Sequence, residues 1–279
     1  MLDTLSEAEL TSFVTREPSI LVEISEAKGS TPRVAGTCMV VSSSSALGTI
    51  GGGQLEYMAV EAARDMLAAG QTSRHMAVPL GPAIGQCCGG HVSLELSAVT
   101  GERVESLRAA IRSDQQTQPH VYLFGAGHVG RALADALRPL PLQQMVIDVR
   151  KEELALLPPG IPNQLTALPE EHIRRAPAGS AVIVLTHDHA LDFLLAGEAL
   201  AREDLSYVGM IGSKTKRATF VRWLKEQYGE NAKPHQLTMP IGAAPNTDKR
   251  PAVIAALVAA ELLSAVAVWH SETQSAHIS

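Results

Sequence analysis

The sequence predicts an α/β protein: an N-terminal α+β domain over residues 1–100, a linker at 101–119, and a C-terminal domain at 120–279 built on a doubly wound parallel sheet. Three observations carry this expectation. An apolar run at 121–124 enters three glycines spaced G-x-G-x-x-G, and an alanine- and leucine-rich helical pattern leaves them. A second apolar run ends on Asp148, and a third, at 181–185, has the β-branched character of a strand buried on both faces. Ahead of these, residues 19–26 and 91–97 alternate apolar and polar side chains, the pattern of half-buried strands, and 37–42 reads as a further strand.

The C-terminal prediction rests on what each glycine does. Gly125 allows a sharp turn out of the strand, Gly127 lets a ligand approach the backbone, and Gly130 lets the helix pack closely on the strand. The helix then presents free N–H groups and a positive dipole end to a phosphate. Asp148 stands eighteen residues after Gly130, where a ribose-binding acid belongs. Together these make the unit Rossmann-like. His128, inside the turn, suits ligand contact without hydride transfer.

Composition narrows the function classes. A chain of 279 residues can bury a sizeable core and divide into two domains. With 46% hydrophobic and 19% charged residues it is ordinary for a globular protein. A net charge of −6 gives no basic field for nucleic acid. No early stretch pairs a basic start with an apolar core, so a cytoplasmic protein is expected. The apolar run at 252–269 is alanine-rich, carries Glu261 and follows Lys249-Arg250-Pro251, which predicts a buried helix and no membrane span. Three cysteines, two of them adjacent, do not make a secreted disulfide framework.

The N-terminal part holds three loops with chemistry in them. In Lys28-Gly-Ser-Thr-Pro-Arg-Val-Ala-Gly36, Arg33 and the hydroxyls of Ser30 and Thr31 could hold an anion, or Arg33 could be a solvated residue of a hairpin connection. In Gly48-Thr-Ile-Gly-Gly-Gly-Gln-Leu-Glu56, the glycines Gly51, Gly52 and Gly53 expose backbone N–H groups before a helix, which favours an anion; a tight turn is the alternative. Lys-Ser or Lys-Thr does not follow, so this is not a Walker-type loop. In the third, Gly85-Gln-Cys-Cys-Gly-Gly90, Cys87 and Cys88 sit among glycines ahead of a strand. Two adjacent thiols do not form a four-ligand zinc cage, and Cys38 is distant in sequence. Soft thiolates in such a loop suit a soft metal or sulfur chemistry, with inert buried cysteines as the alternative.

These three runs together resemble the signatures of the xanthine dehydrogenase accessory protein family, of the XdhC/CoxI type. The resemblance covers nearly the whole chain. It implies a two-domain, dimeric protein that binds molybdenum cofactor, protects it, cooperates with a cysteine desulfurase in its sulfuration, and delivers it to xanthine dehydrogenase or a related molybdenum hydroxylase. Within it, Gln86, Cys87 and Cys88 are the candidates for cofactor handling, the two cysteines toward molybdenum. The pterin phosphate is expected at one of the glycine-rich turns.

Further along, the strand at 181–185 delivers Thr186-His-Asp-His-Ala-Leu-Asp192 to its carboxyl end, beyond which ligands bind in open α/β sheets. His187, Asp188, His189 and Asp192 could ligate a divalent metal, or Asp188 or a histidine could cap the following helix while the run contacts a ligand. Ser213-Lys-Thr-Lys-Arg217 opens a helix after the next strand and suits either a phosphate or solvent. The loop after Pro240-Ile-Gly242 departs from the acidic, glycine-containing pattern that the resemblance leads one to expect.

Three functions follow. The first is a molybdenum cofactor carrier without turnover of its own. The second is an NAD(P)-dependent oxidoreductase, with NAD(P) or another nucleotide at the 125–130 turn; Arg150 leaves NADP open, but the chain offers no convincing proton donor and substrate clamp beyond the histidine-aspartate run. The third is an adaptor that only brings desulfurase and dehydrogenase together.

Overall fold

The computed structural model describes residues 6–81, 89–243 and 248–276. The chain divides into two compact units, Met1–Thr117 and Gln118–Ser279.

The first unit is a five-stranded sheet covered on both faces. Its strands are β1 (Ser19–Lys28), β2 (Cys38–Ser42), β3 (Ala46–Gly48), β4 (Ser73–Pro79) and β5 (His91–Ala98), paired antiparallel in the order β3-β2-β1-β5-β4. Alternation along β1 assigns the faces, since successive side chains point to opposite sides. Ile20, Val22 and Ile24 pack with Leu55, Ala59, Ala63 and Met66 of α2 (Gly53–Ala69). Leu21, with Cys38 and Val40 of β2, packs instead with Leu10 of α1 (Glu7–Val14) and with Leu107 and Ile111 of α3 (Gly101–Thr117). Ser6 and Glu9 form a reciprocal capping box at the start of α1.

That last packing corrects the expected linker at 101–119. The segment is polar, but Leu107 and Ile111 stand four apart and form a buried stripe, so it belongs to the first unit as a helix.

The second unit is a six-stranded parallel sheet in the order β11-β10-β9-β6-β7-β8. The strands are β6 (His120–Phe124), β7 (Gln143–Asp148), β8 (Asn163–Leu165), β9 (Ala181–Val184), β10 (Tyr207–Met210) and β11 (Leu237–Thr238). Two sets of three strands thus run outward from the central β6–β9 pair, which is the Rossmann arrangement. One face carries α4 (His128–Leu137) and α9 (Pro251–Ala276), which bury Leu133, Ala134, Val258 and Leu262 with Val121, Leu123 and Ile183. The other carries α7 (His189–Leu200) and α8 (Lys214–Tyr228), packed on Phe124, Val182, Val184 and Met210. Two short helices, α5 (Lys151–Leu154) and α6 (Glu170–Arg175), complete the connections around β8.

By length and composition α9 could cross a membrane; it is the one such helix among the described residues. Within the unit it buries one stripe, Ala255, Val258, Ala259 and Leu262, while Leu263 and Val268 on the other side are exposed. The expected buried helix is therefore buried on one side only. Glu261, in the middle of α9, accepts from the Tyr207 hydroxyl and from the Gly242 amide, tying α9 to β10 and to the Pro240-Ile-Gly242 turn.

Candidate functional site

In the first unit the fold gathers the conspicuous loops. β1 ends at Lys28 directly opposite His91, where β5 begins, so the loop that starts at Lys28 and the Gly89-Gly90 pair lie side by side. Ser30 bridges Gly89, and a Cβ on Gly90 would lie 2.3 Å from the Ser30 carbonyl oxygen; only glycine permits that approach. Leu80 and the Gly89-Gly90 pair exchange backbone bonds of 2.7 and 2.8 Å, closing the base of the β4–β5 connection. Gly51 completes the cluster. Its φ is +123°, and a Cβ there would sit 2.7 Å from Pro32 Cγ. Three segments as far as sixty residues apart in sequence thus meet at one end of the sheet. Gln86, Cys87 and Cys88 lie outside the described residues, on the connection that this cluster anchors.

The glycine turn at 51–53 differs from its expectation as an open anion nest. Glu56, one turn into α2, reaches back so that its Oε2 accepts from Thr49 Oγ1 at 2.5 Å, from Gly52 N at 3.0 Å and from Ile50 N at 3.3 Å. Gly51 N donates to Thr49 Oγ1 at 3.2 Å. The chain's own carboxylate therefore occupies the seat that an anion would take at these N–H groups. Sequence reading missed this, although the acid stands only four residues beyond Gly52, within one helical turn. Arg33 is half-buried on the neighbouring loop, its Cγ 3.5 Å from the position of a Gly51 Cβ.

In the second unit the three turn glycines divide their tasks as their spacing requires. A Cβ on Gly125 would meet the Leu185 carbonyl oxygen at 2.5 Å, and one on Gly130 would meet the Gly125 carbonyl oxygen at 1.9 Å. Nothing lies within 4 Å of the corresponding position on Gly127, the N-cap of α4, so that backbone faces open space. His128 follows as the first, exposed residue of α4.

Asp148 ends β7 beside this turn and is only 4% exposed. Oδ2 accepts from Ala126 N at 2.7 Å and from an Arg150 terminal nitrogen at 2.9 Å; Oδ1 accepts from Arg150 N at 2.9 Å and from its Nε at 3.0 Å. Burial pushes the carboxyl up, but the Arg150 and Ala126 bonds outweigh it and hold Asp148 below its usual range. Arg131 ties the same turn from the other side, donating to the Ala126 carbonyl at 2.7 Å and to Glu153 at 2.6 Å. A narrow crevice opens next to these groups at the carboxyl ends of β6, β7 and β9, lined by Gly125, Asp148, Val149, Pro169, Thr186 and His187.

The Thr186–Asp192 run resolves into two roles. Asp188 caps α7, accepting from Ala190 N at 2.7 Å and Leu191 N at 3.2 Å; the Leu191 and Ala190 amides hold its carboxyl below the usual range. Asp192 is fully buried, accepts from Thr186 N at 3.0 Å and Thr186 Oγ1 at 2.7 Å, and pairs with Lys216 of α8. His187 lines the crevice, His189 is the first residue of α7, and both are exposed. Asp188 and Asp192 face different partners, and no group of three potential metal ligands gathers among the described residues. The Asp192–Lys216 pair was not expected, because the two residues stand 24 apart on different helices.

Comparison with known proteins agrees with the fold. The XdhC Rossmann domain model matches residues 121–262, and the XdhC and CoxI family model matches 14–78. The chain is 28% identical over 259 residues to YqeB, an uncharacterised protein of Escherichia coli (strain K12); the match takes in 88% of the chain but only 43% of that relative's length. A crystal structure of a Bacillus halodurans protein, described as a xanthine dehydrogenase, superposes with a TM-score of 0.76 at 18% identity, covering 95% of this chain and 96% of that one. At that identity the likeness speaks for the fold.

Proposed function

The chain belongs to the XdhC and CoxI family, and on that basis we propose that it is an accessory protein of a molybdenum hydroxylase such as xanthine dehydrogenase. In this reading the first unit binds molybdenum cofactor at the end of the sheet where the 28–33 and 48–56 segments meet Gly89-Gly90. Cys87 and Cys88 approach the molybdenum and Gln86 the cofactor beside it. The bound cofactor is protected, passed through sulfuration with a cysteine desulfurase, and inserted into the hydroxylase. The protein acts as a dimer and performs no turnover of its own.

The observation that supports this most is the convergence of three glycine-rich segments on one edge, with Gly90 and Gly51 each packed too closely for any side chain. Such close approach fixes the base of a thiol-bearing connection. The filled 51–53 turn moves the expected phosphate contact away from those amides and toward Ser30, Thr31 and Arg33 on the adjoining loop. Chemically, soft thiolates suit molybdenum–sulfur centres better than hard carboxylates do.

Reconstitution tests the proposal. Apo-hydroxylase is incubated with molybdenum cofactor with and without the protein, and regained hydroxylase activity is followed. Faster or fuller activation with the protein, lost in a Cys87→Ala/Cys88→Ala double variant, is the expected result. Activation unaffected by the protein contradicts it. If the double variant activates as well as wild type, the adaptor alternative stands in its place.

A further inference from the structure

The crevice at the β6–β9 divide, where the spacing leads one to expect a ribose-binding acid, carries a feature that the spacing does not give: the Arg150 guanidinium sits on Asp148 as a ribose would. A carboxylate offers about four lone-pair positions. Here all four are taken, two by the amides of Ala126 and Arg150 and two by the Arg150 guanidinium, one on each oxygen. The guanidinium fork therefore covers one acceptor position on Oδ1 and one on Oδ2. Those are the two positions that a vicinal 2′,3′-diol needs, because each hydroxyl donates one bond.

The surroundings fit a nucleoside. Val149 and Leu168, exposed apolar side chains, flank the crevice through its lining residues Asp148, Val149 and Pro169, and Leu165 lies opposite Asp148 in the sheet. Apolar groups left in solvent beside a buried acid suit the faces of a base. Gly127 supplies open backbone on the phosphate side. Arg150 can leave when a diol takes over its two bonds to the buried carboxylate. Its side chain already reaches solvent at 28% exposure, and Glu153, its other partner at 3.5 Å, keeps Arg131 at 2.6 Å. Arg131 also holds the Ala126 carbonyl, so the turn stays anchored when Arg150 swings out.

We infer that this crevice is a nucleotide seat for a nucleoside diphosphate with a free 2′,3′-diol, and that Arg150 closes it in the free protein by occupying the diol's place on Asp148. A 2′-phosphate meets the Asp148 carboxylate when Arg150 has left, so the open seat favours NAD-type over NADP-type ribose. The seat is independent of any cofactor held by the first unit.

Calorimetry on the full chain tests this with ADP-ribose, NAD and NADP as probes. Arg150→Gln is expected to bind ADP-ribose about tenfold or more tightly than wild type, since a competing charge-assisted bond is removed. It is also expected to prefer NAD over NADP, and adding Asp148→Asn is expected to abolish the gain. Arg150→Lys, which keeps the charge but loses the planar fork, is expected to gain affinity in the same direction. Equal ADP-ribose affinity in wild type, Arg150→Gln and Arg150→Lys, with each melting cooperatively, overturns the inference. So does a gain that survives Asp148→Asn. Failure of Arg150→Gln to fold transfers the decision to Arg150→Lys alone.

Discussion

The amide of Ala126 donates to Asp148 Oδ2 across 2.7 Å, tying the residue between the first two turn glycines to the acid that ends the neighbouring strand. The bond is buried, and it joins two connections that are 22 residues apart in sequence. Asp148→Asn keeps the shape but removes the charge, and is expected to cost about 1–3 kcal/mol, the usual range for a buried polar group left imperfectly paired. The pH dependence follows from the direction of the shift. The native carboxyl lies below its ordinary value of 3.8, so the stabilisation is present above that value and is lost as pH falls through the native one. Denaturant melts from about pH 5 to about pH 3 are expected to show a steeper loss in wild type than in Asp148→Asn. Parallel losses in the two proteins would refute the assignment.

Gly130 and Gly127 make opposite predictions although both belong to one motif. Gly130→Ala drives a Cβ to 1.9 Å from the Gly125 carbonyl oxygen, backbone against backbone, so a cost at or above the ~1–3 kcal/mol of an overpacked core is expected. Gly127→Ala meets nothing within 4 Å and has an ordinary φ of −65°, so its melting temperature is expected to stay at or slightly above that of wild type. Thermal unfolding of the two variants side by side checks this, and equal destabilisation would contradict the division of roles.

Lys216 and Asp192 form an ion pair with no exposure at the acid and 11% at the lysine. Lys216→Met leaves a buried charge held only by Thr186, with an expected loss of about 3–5 kcal/mol. Pairing the change with Asp192→Asn is expected to recover part of that loss, because the uncompensated charge goes with it. A double variant no more stable than Lys216→Met would show that charge is not the cause.

Glu56 is expected to matter for folding before it matters for any ligand. Glu56→Ala strands the Ile50 and Gly52 amides and should cost about 1–3 kcal/mol, whereas Glu56→Gln keeps an acceptor oxygen and should cost less. Chemical denaturation of the two variants measures the difference. Identical losses would mean that an acceptor oxygen at this position does not account for the cost.

Legibility in the sequence followed periodicity and failed where partners are distant. The strands at 121–124, 144–148 and 181–185 and the G-x-G-x-x-G turn could be read directly, because each is a local apolar run with fixed punctuation. β8 was missed because it spans three exposed residues and carries no pattern. The start of 101–119 reads as a short helix ahead of a linker, and the full length of α3 does not show because a stripe of two buried side chains hardly stands out among charged neighbours. At the candidate sites the glycines and Asp148 were legible as a motif. Their partners were not. Arg150 on Asp148, Arg131 across to Glu153 and Lys216 on Asp192 are set by side-chain directions that spacing alone does not fix. The anion nest at 51–53 was misjudged for the same reason, since Glu56 folds back onto the turn it follows.

The central claim is that the first unit holds molybdenum cofactor at the edge where its three glycine-rich segments meet. The most direct measurement is the molybdenum and pterin content of the full-length protein after equilibration with the cofactor and removal of the unbound fraction. Stoichiometric pterin in wild type, reduced in Cys87→Ala/Cys88→Ala and in Arg33→Ala, is the predicted result. Wild-type protein that retains neither molybdenum nor pterin would contradict it.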